Sequence, residues 1–191
     1  MLVPPLSLAI KDFIVEHLDD SPENLQLIRD FACPNNAMGL ELYLKQQALN
    51  DEDIGQSRTY LVKDALTRDL ACYFSLRTCL IPYALAERRI NLSAIELANF
   101  AVNDNYRQSQ RAVAKIGEYV FVEIIRPLVK HISTCVGAGW LCVFALPKER
   151  LIDYYKNKLG FSRLPADKER FVHGHVKPDY DKDCIFMYQR I

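Results

Sequence analysis

The 191-residue chain lacks a Cys-x-x-Cys pair, any apolar run near the roughly 18 residues that span a bilayer, and any surplus of one charge. Its six cysteines (Cys33, Cys72, Cys79, Cys135, Cys142, Cys184) are scattered, and three sit inside apolar, strand-like runs. That usage points to buried thiols in a reducing compartment. Met1 to Ile10 is apolar without a positive leading region or a small-residue cleavage site, so the expectation is a soluble cytoplasmic protein with no membrane partner. Lys plus Arg number 24 and Asp plus Glu 24, which excludes a histone-like or strongly basic tail. Seven glycines are few, and no repeat, low-complexity tract or Pro/Gly/Ser linker interrupts the chain. A single domain over residues 1–191 is therefore expected.

What is present is half apolar and one quarter charged at 22.0 kDa, enough for one sizeable core. The zero net charge hides an asymmetry. Residues 1–66 hold five basic and eleven acidic side chains, and residues 67–191 hold nineteen and thirteen, so the later two thirds can welcome an anionic ligand.

Phe13 to Leu18 reads as a strand, and Ser21-Pro22-Glu23 as a capped helix start, with more helix over Ala37 to Leu49. Ser57 to Lys63 and Leu70 to Leu80 read as two antiparallel strands with a hairpin turn between them. Residues 81–93 read as an irregular polar insertion, and Ala94 to Val102 as a strand buried on both faces that Asn103-Asp104-Asn105 ends. From about Ala112 to Ile132, Ile116, Val120, Ile124 and Leu128 recur every fourth residue, which predicts the longest helix, kinked or broken at Pro127. Gly137 to Leu146 is a further buried strand, and Lys148 to Leu159 a helix stopped by Gly160. Residues 162–181 read as polar loop, and Asp183 to Ile191 as a closing strand. The fold class is α/β. One mixed sheet, largely antiparallel with a central parallel β-α-β unit, is flanked by helices.

Three segments in fixed order carry a resemblance: ELANFAV (96–102), then NYR (105–107) running into IGEYVFVEII (116–125), then LIDYYKNKLGF (151–161) after WLCVFAL (140–146). Together, over about residues 57 to 191, they resemble the GNAT family of acetyl-CoA-dependent N-acetyltransferases. FACPNNAMGLELYLKQQAL (31–49) is also similar to the N-terminal part of bacterial GNATs that include aminoacyl-tRNA-acetylating toxins.

The resemblance implies acetyl-CoA as cosubstrate, its pantetheine arm along the strand edge Phe100, Ala101 and Val102, and its pyrophosphate on backbone N–H groups at the start of the long helix. The family loop reads Arg/Gln-x-x-Gly-x-Gly/Ala. Without a gap, Arg107-Gln108-Ser109-Gln110-Arg111-Ala112 keeps its first and last positions but puts Gln110 where the central glycine belongs. With five extra residues, Lys115-Ile116-Gly117 forms the helix start, with Lys115 in the first glycine's place. The second alignment is preferred because EYVFVEII then keeps the family's apolar spacing. By the same resemblance Tyr155, or its neighbour Tyr154, is the general acid that protonates the departing thiolate, and Glu96 the general base.

Plainer readings stand beside these. Tyr155 also suits a core aromatic and Glu96 a carboxylate paired with an arginine. His173 and His175 lack partners at metal-ligand spacing, so no metal is expected, and Cys142 has no histidine signature of a nucleophile. Arg88 and Arg89 suit a solvated face, whereas Arg107, Arg111 and Lys115 also suit phosphate. The functional expectation is acetyl transfer from acetyl-CoA to a primary amine by direct attack. A toxin with tRNA and antitoxin partners, or a non-catalytic GNAT-fold module with an altered loop, are the alternatives. A homodimer through the closing strand is a family expectation.

Overall fold

Ser21 and Pro22 set the first helix as their chemistry requires: the Ser21 hydroxyl accepts from the Asn24 N–H at 3.3 Å, and the proline occupies the opening position where its missing N–H costs nothing. The computed structural model describes residues 7–10, 12–34, 37–85, 88–109, 114–176 and 183–191. Its strands are β1 (Ser7–Ile10), β2 (Phe13–His17), β3 (Arg58–Asp64), β4 (Leu70–Leu85), β5 (Arg88–Val102), β6 (Trp140–Ala145), β7 (Ser162–Arg163) and β8 (Ile185–Arg190). Its helices are α1 (Pro22–Arg29), α2 (Met38–Gln46), α3 (Ala48–Asp53), α4 (Asp104–Arg107), α5 (Ile116–Val120), α6 (Arg126–Val136), α7 (Glu149–Asn157) and α8 (Ala166–Val176). The strands form one sheet in the order β1-β2-β3-β4-β5-β6-β8-β7. β5 and β6 are parallel, joined through the long helix, and the other pairings with a described register are antiparallel. This is the mixed sheet expected.

Two compact units divide the chain. The first holds residues up to Arg77 together with Asn99–Tyr119. Leu18, Ile28, Phe31, Leu44, Leu61 and Tyr73 pack its core, with Tyr73 edge-on to Phe31 at 5.3 Å between ring centres. Lys63, only 1% exposed, lies among Glu16 at 2.6 Å and Glu23 at 3.2 Å, and Arg68 reaches the same two carboxylates. A buried ammonium is tolerable only with such partners.

The second unit holds Thr78–Ala98 and Val120–Ile191. Ile81, Ala94, Cys142, Val172 and Phe186 form a core cluster there. Cys142 and Cys184 are buried and Cys135 is exposed, so the thiols are not uniformly interior.

Several expectations need correction. Residues 81–93 are not an irregular insertion, because β4 continues to Leu85 and β5 begins at Arg88. Four consecutive exposed positions, residues 88–91, erase the alternation that marks a half-buried strand. Within 162–181, residues 162–163 are strand and 166–176 are helix, which places His173 and His175 on a helix instead of a loop. The 37–49 helix is two helices that meet at Gln47. The interruption expected at Pro127 takes the form of a π turn just ahead of it. Phe121–Ile125 forms a π-helical turn closed by the Arg126 N–H on the Phe121 carbonyl, and Pro127 then occupies the first turn of α6, where it needs no donor. The closing strand β8 is not the sheet's edge, since β6 lies on one side and Ser162–Arg163 pair with Tyr188 and Met187 on the other. Among the described residues no helix is long and apolar enough to cross a membrane.

Candidate active site

Within the first unit, the end of β5 and the turn after it are built from a single asparagine. Asn103 accepts from the N–H groups of Ala32 and Asn105 at 3.2 and 3.1 Å and donates to the Leu70 carbonyl at 2.8 Å. Its own N–H and that of Asp104 bond the carbonyls of Ala71 and Ala32. Tyr106, 4% exposed, donates to the Asp64 carboxylate at 3.0 Å, and the same carboxylate holds the β3–β4 turn through the N–H groups of Leu66 and Thr67. The turn carrying Arg107 is thereby tied to β3, β4 and the end of α1. In the sequence alone Asn103 reads only as the residue that ends a strand. The Asn-Asp-Asn run was the available signal, because such residues favour capping and turns.

Phe100 and Val102 are half-buried and Ala101 is buried. The Arg107 guanidinium is half exposed and reaches Asp104 at 3.1 Å. Arg111 and Ala112 lie outside the described residues. The helix begins at Ile116, and Lys115 before it has a φ of 57°, the left-handed region that a residue with a β-carbon enters at a cost. The Lys115 carbonyl accepts from the Glu118 and Tyr119 N–H groups at 2.9 and 3.1 Å. Lys115 thus caps the helix, and the N–H groups of Ile116 and Gly117 are its first two, which have no carbonyl one turn back. A helix start of that kind, continued through 136, offers backbone donors and positive potential to an anion.

Within the second unit, Tyr155 stands near the end of α7 with 8% of its surface exposed. Gly160, at φ 79°, turns the chain so that the Phe161 N–H bonds the Tyr155 carbonyl at 3.0 Å and the Phe161 ring meets the Tyr155 ring edge-on at 5.4 Å. Phe161 rests on Phe121 of the π turn at 5.6 Å, and Arg126 lies over Phe121 while donating to the Leu159 carbonyl at 3.1 Å. The tyrosine is therefore held through Phe161 against the long helix. Burial pushes its phenol well above the usual tyrosine value, which keeps it protonated at neutral pH and makes it a weaker acid than an exposed tyrosine. Tyr154 is half-buried beside it, its ring centre 6.2 Å away.

Glu96 is buried at 3% exposure, opposite Cys142 in the parallel pairing of β5 with β6. That pairing covers Ala94 to Glu96 and stops there, although β5 runs on to Val102. Among the described residues no group of three or more His, Cys, Asp or Glu side chains is placed to hold a metal ion.

No family model matches the chain, and no curated protein matches it in sequence. Solved structures do match. A tyrosine-to-phenylalanine mutant of the toxin AtaT, bound to the C-terminus of the antitoxin AtaR and acetyl-CoA, is 22% identical over 94% of each chain, with a TM-score of 0.61. AtaT complexed with acetyl-methionyl-tRNAfMet is 22% identical over 92% of this chain and 94% of its own, at 0.60. A tyrosine-to-phenylalanine mutant of KacT is 18% identical over 94% and 95%, at 0.63. With nearly the whole of both chains superposed and the mixed sheet shared, this chain has the GNAT fold.

Proposed function

We propose that the protein is an acetyl-CoA-dependent N-acetyltransferase that moves the acetyl group to a primary amine by direct attack. The observation that carries this reading is the fold shared, over 94% of each chain, with a structure solved with acetyl-CoA bound. The roles follow the family resemblance. The N–H groups of Ile116 and Gly117 receive the pyrophosphate, with Lys115 and Arg107 as nearby cations, and the β5 edge at Phe100, Ala101 and Val102 aligns the pantetheine amides. Glu96 takes a proton from the acceptor ammonium. The freed amine adds to the thioester carbonyl, and Tyr155 gives its phenolic proton to the thiolate that leaves as the adduct collapses. The products are the N-acetylated acceptor and CoA thiol. AtaT and KacT were both solved as tyrosine-to-phenylalanine mutants, which fits a working tyrosine in this fold.

The acceptor favoured by the comparisons is the α-amine of an aminoacyl-tRNA, because AtaT was solved with acetyl-methionyl-tRNAfMet. A toxin of that class also fits a polypeptide antitoxin as partner, as AtaT has in AtaR. The test is release of CoA thiol from acetyl-CoA across an amine panel that includes aminoacyl-tRNA. Tyr155→Phe slows turnover about 10²-fold while acetyl-CoA affinity stays near wild type, the lower end of what a general acid contributes. Equal turnover of the two proteins removes Tyr155 from the mechanism.

A further inference from the structure

Tyr155 owes its place to the turn that follows its helix. The Phe161 N–H bonds its carbonyl at 3.0 Å and the Phe161 ring meets its ring at 5.4 Å, so whatever fixes residues 159–161 fixes the tyrosine. Leu159 is fully buried, and its carbonyl lies past the end of α7, beyond the helix's own hydrogen bonds. The Arg126 guanidinium donates to that carbonyl at 3.1 Å, and Gln189 of β8 reaches it at a longer 3.4 Å. The charged donor is the stronger of the two, because it also meets the negative end of the α7 dipole.

Arg126 reaches that carbonyl because of the π turn before it. At 3.6 residues per turn, side chains five apart on an α-helix stand about 140° apart around the axis. The bond from the Arg126 N–H to the Phe121 carbonyl closes a five-residue step, which narrows that angle and sets the guanidinium over the Phe121 ring, 5.5 Å from its centre. Phe121 in turn carries Phe161 at 5.6 Å. The same guanidinium passes Gly160 so closely that a β-carbon there would lie 3.6 Å from it. One side chain therefore meets Leu159, Gly160 and the ring on which Phe161 rests. We propose that Arg126 is a positioning residue for Tyr155, holding the turn at residues 159–161 and through it the phenol that gives up its proton. The inference rests on the acetyltransferase reading above and adds a residue that acts through the tyrosine.

The test compares Arg126→Met, Arg126→Lys and Tyr155→Phe in the full-length protein; Arg126 is exposed, so both of its variants should fold. Thiol release from acetyl-CoA with methionyl-tRNA as acceptor gives kcat and KM, and NMR of ring-labelled tyrosine gives the Tyr155 signal, identified by its loss in Tyr155→Phe. Methionine replaces the arginine stem and donates nothing, so the turn loosens. Misplacing a reacting group by about 1 Å costs up to about 10²-fold, and Arg126→Met is expected to lower kcat about tenfold with KM for both substrates within about twofold of wild type. Lysine still donates to the Leu159 carbonyl and should return kcat to within about threefold of wild type. Added to Tyr155→Phe, Arg126→Met should cost less than about twofold more, because no phenolic proton is left to misplace, whereas a general loosening of the fold costs about tenfold in either background. The Tyr155 signal should shift in Arg126→Met and return in Arg126→Lys. An unmoved Tyr155 signal in Arg126→Met, or a full tenfold loss in the Tyr155→Phe background, overturns the proposal. If the signal moves as expected and the wild type releases no thiol, the placement of Tyr155 by Arg126 stands and the transferase reading fails. If thiol is released and the signal stays where it was, the reverse holds.

Discussion

Replacing Lys115 with glycine should make the protein more stable. Lys115 holds a φ of 57° at the start of the long helix, and its side chain is exposed. A left-handed backbone costs a residue with a β-carbon about 1–2 kcal/mol, and glycine returns about 0.4–1 kcal/mol of that through the larger entropy of its unfolded chain. The net gain is about 0.5–1 kcal/mol. For a domain of this size each kcal/mol moves the melting midpoint by about 2–4 °C, so Lys115→Gly should melt about 1–4 °C higher than wild type. Lys115→Ala keeps the β-carbon and the strain, and serves as the control that should not gain. Scanning calorimetry of the three proteins without ligand decides the matter. The same glycine variant loses one exposed ammonium at the proposed pyrophosphate site, worth about 0.2–1 kcal/mol, so acetyl-CoA affinity should fall at most about fivefold. A lower midpoint for Lys115→Gly, or an equal gain for Lys115→Ala, refutes the reasoning that this residue occupies a glycine's place.

Gly117→Trp places a large side chain at the second residue of the helix, and acetyl-CoA affinity measured by titration should fall about tenfold or more, at least 1.4 kcal/mol, with the fold intact by circular dichroism. The Lys63 network makes a pH prediction. Burial draws the Glu16 carboxyl upward, but hydrogen bonds and charge from Lys63 and Arg68 outweigh it, so it sits below its ordinary value of 4.5. The Lys63 hydrogen bond and charge hold Glu23 down as well. Because the unfolded chain binds these protons first, the stability they contribute is complete above about pH 4.5 and is lost as pH falls through the lower folded values. Glu16→Gln should flatten that acid limb in urea titrations and cost about 1–3 kcal/mol at neutral pH, since the buried Lys63 ammonium loses one of its two carboxylates and keeps Glu23.

The order of strands and helices was legible because Phe13 to His17, Ser57 to Lys63 and Trp140 to Ala145 carry dense β-branched and aromatic runs, and Ser21-Pro22 and Gly160 mark helix ends by their chemistry. The second unit's hairpin was not legible, because Pro82 stands within β4 and Arg88 to Asn91 are all exposed on β5, so β5 shows no buried face there. Helix α8 escaped because only Glu169 and Val172 of its eleven residues are buried. The π turn lies just ahead of Pro127 within a regular apolar stripe, and sequence spacing registers it only as an interruption. Tyr155, Lys115 and Glu96 could be nominated from a family resemblance. The reason Tyr155 is held where it is, a left-handed Gly160 folding Phe161 back onto it, and the Asn103 clamp under the Arg107 turn are tertiary facts that no single segment contains.

The central claim, that this fold still takes acetyl-CoA with a lysine in a glycine's place, is tested most directly by the melting temperature with acetyl-CoA in large excess. A ligand at 100 times its dissociation constant adds about 2.7 kcal/mol, which at about 2–4 °C per kcal/mol raises the midpoint by roughly 5–10 °C. The account predicts that rise with acetyl-CoA. No shift at millimolar acetyl-CoA contradicts it and leaves a GNAT fold that no longer binds the acetyl donor.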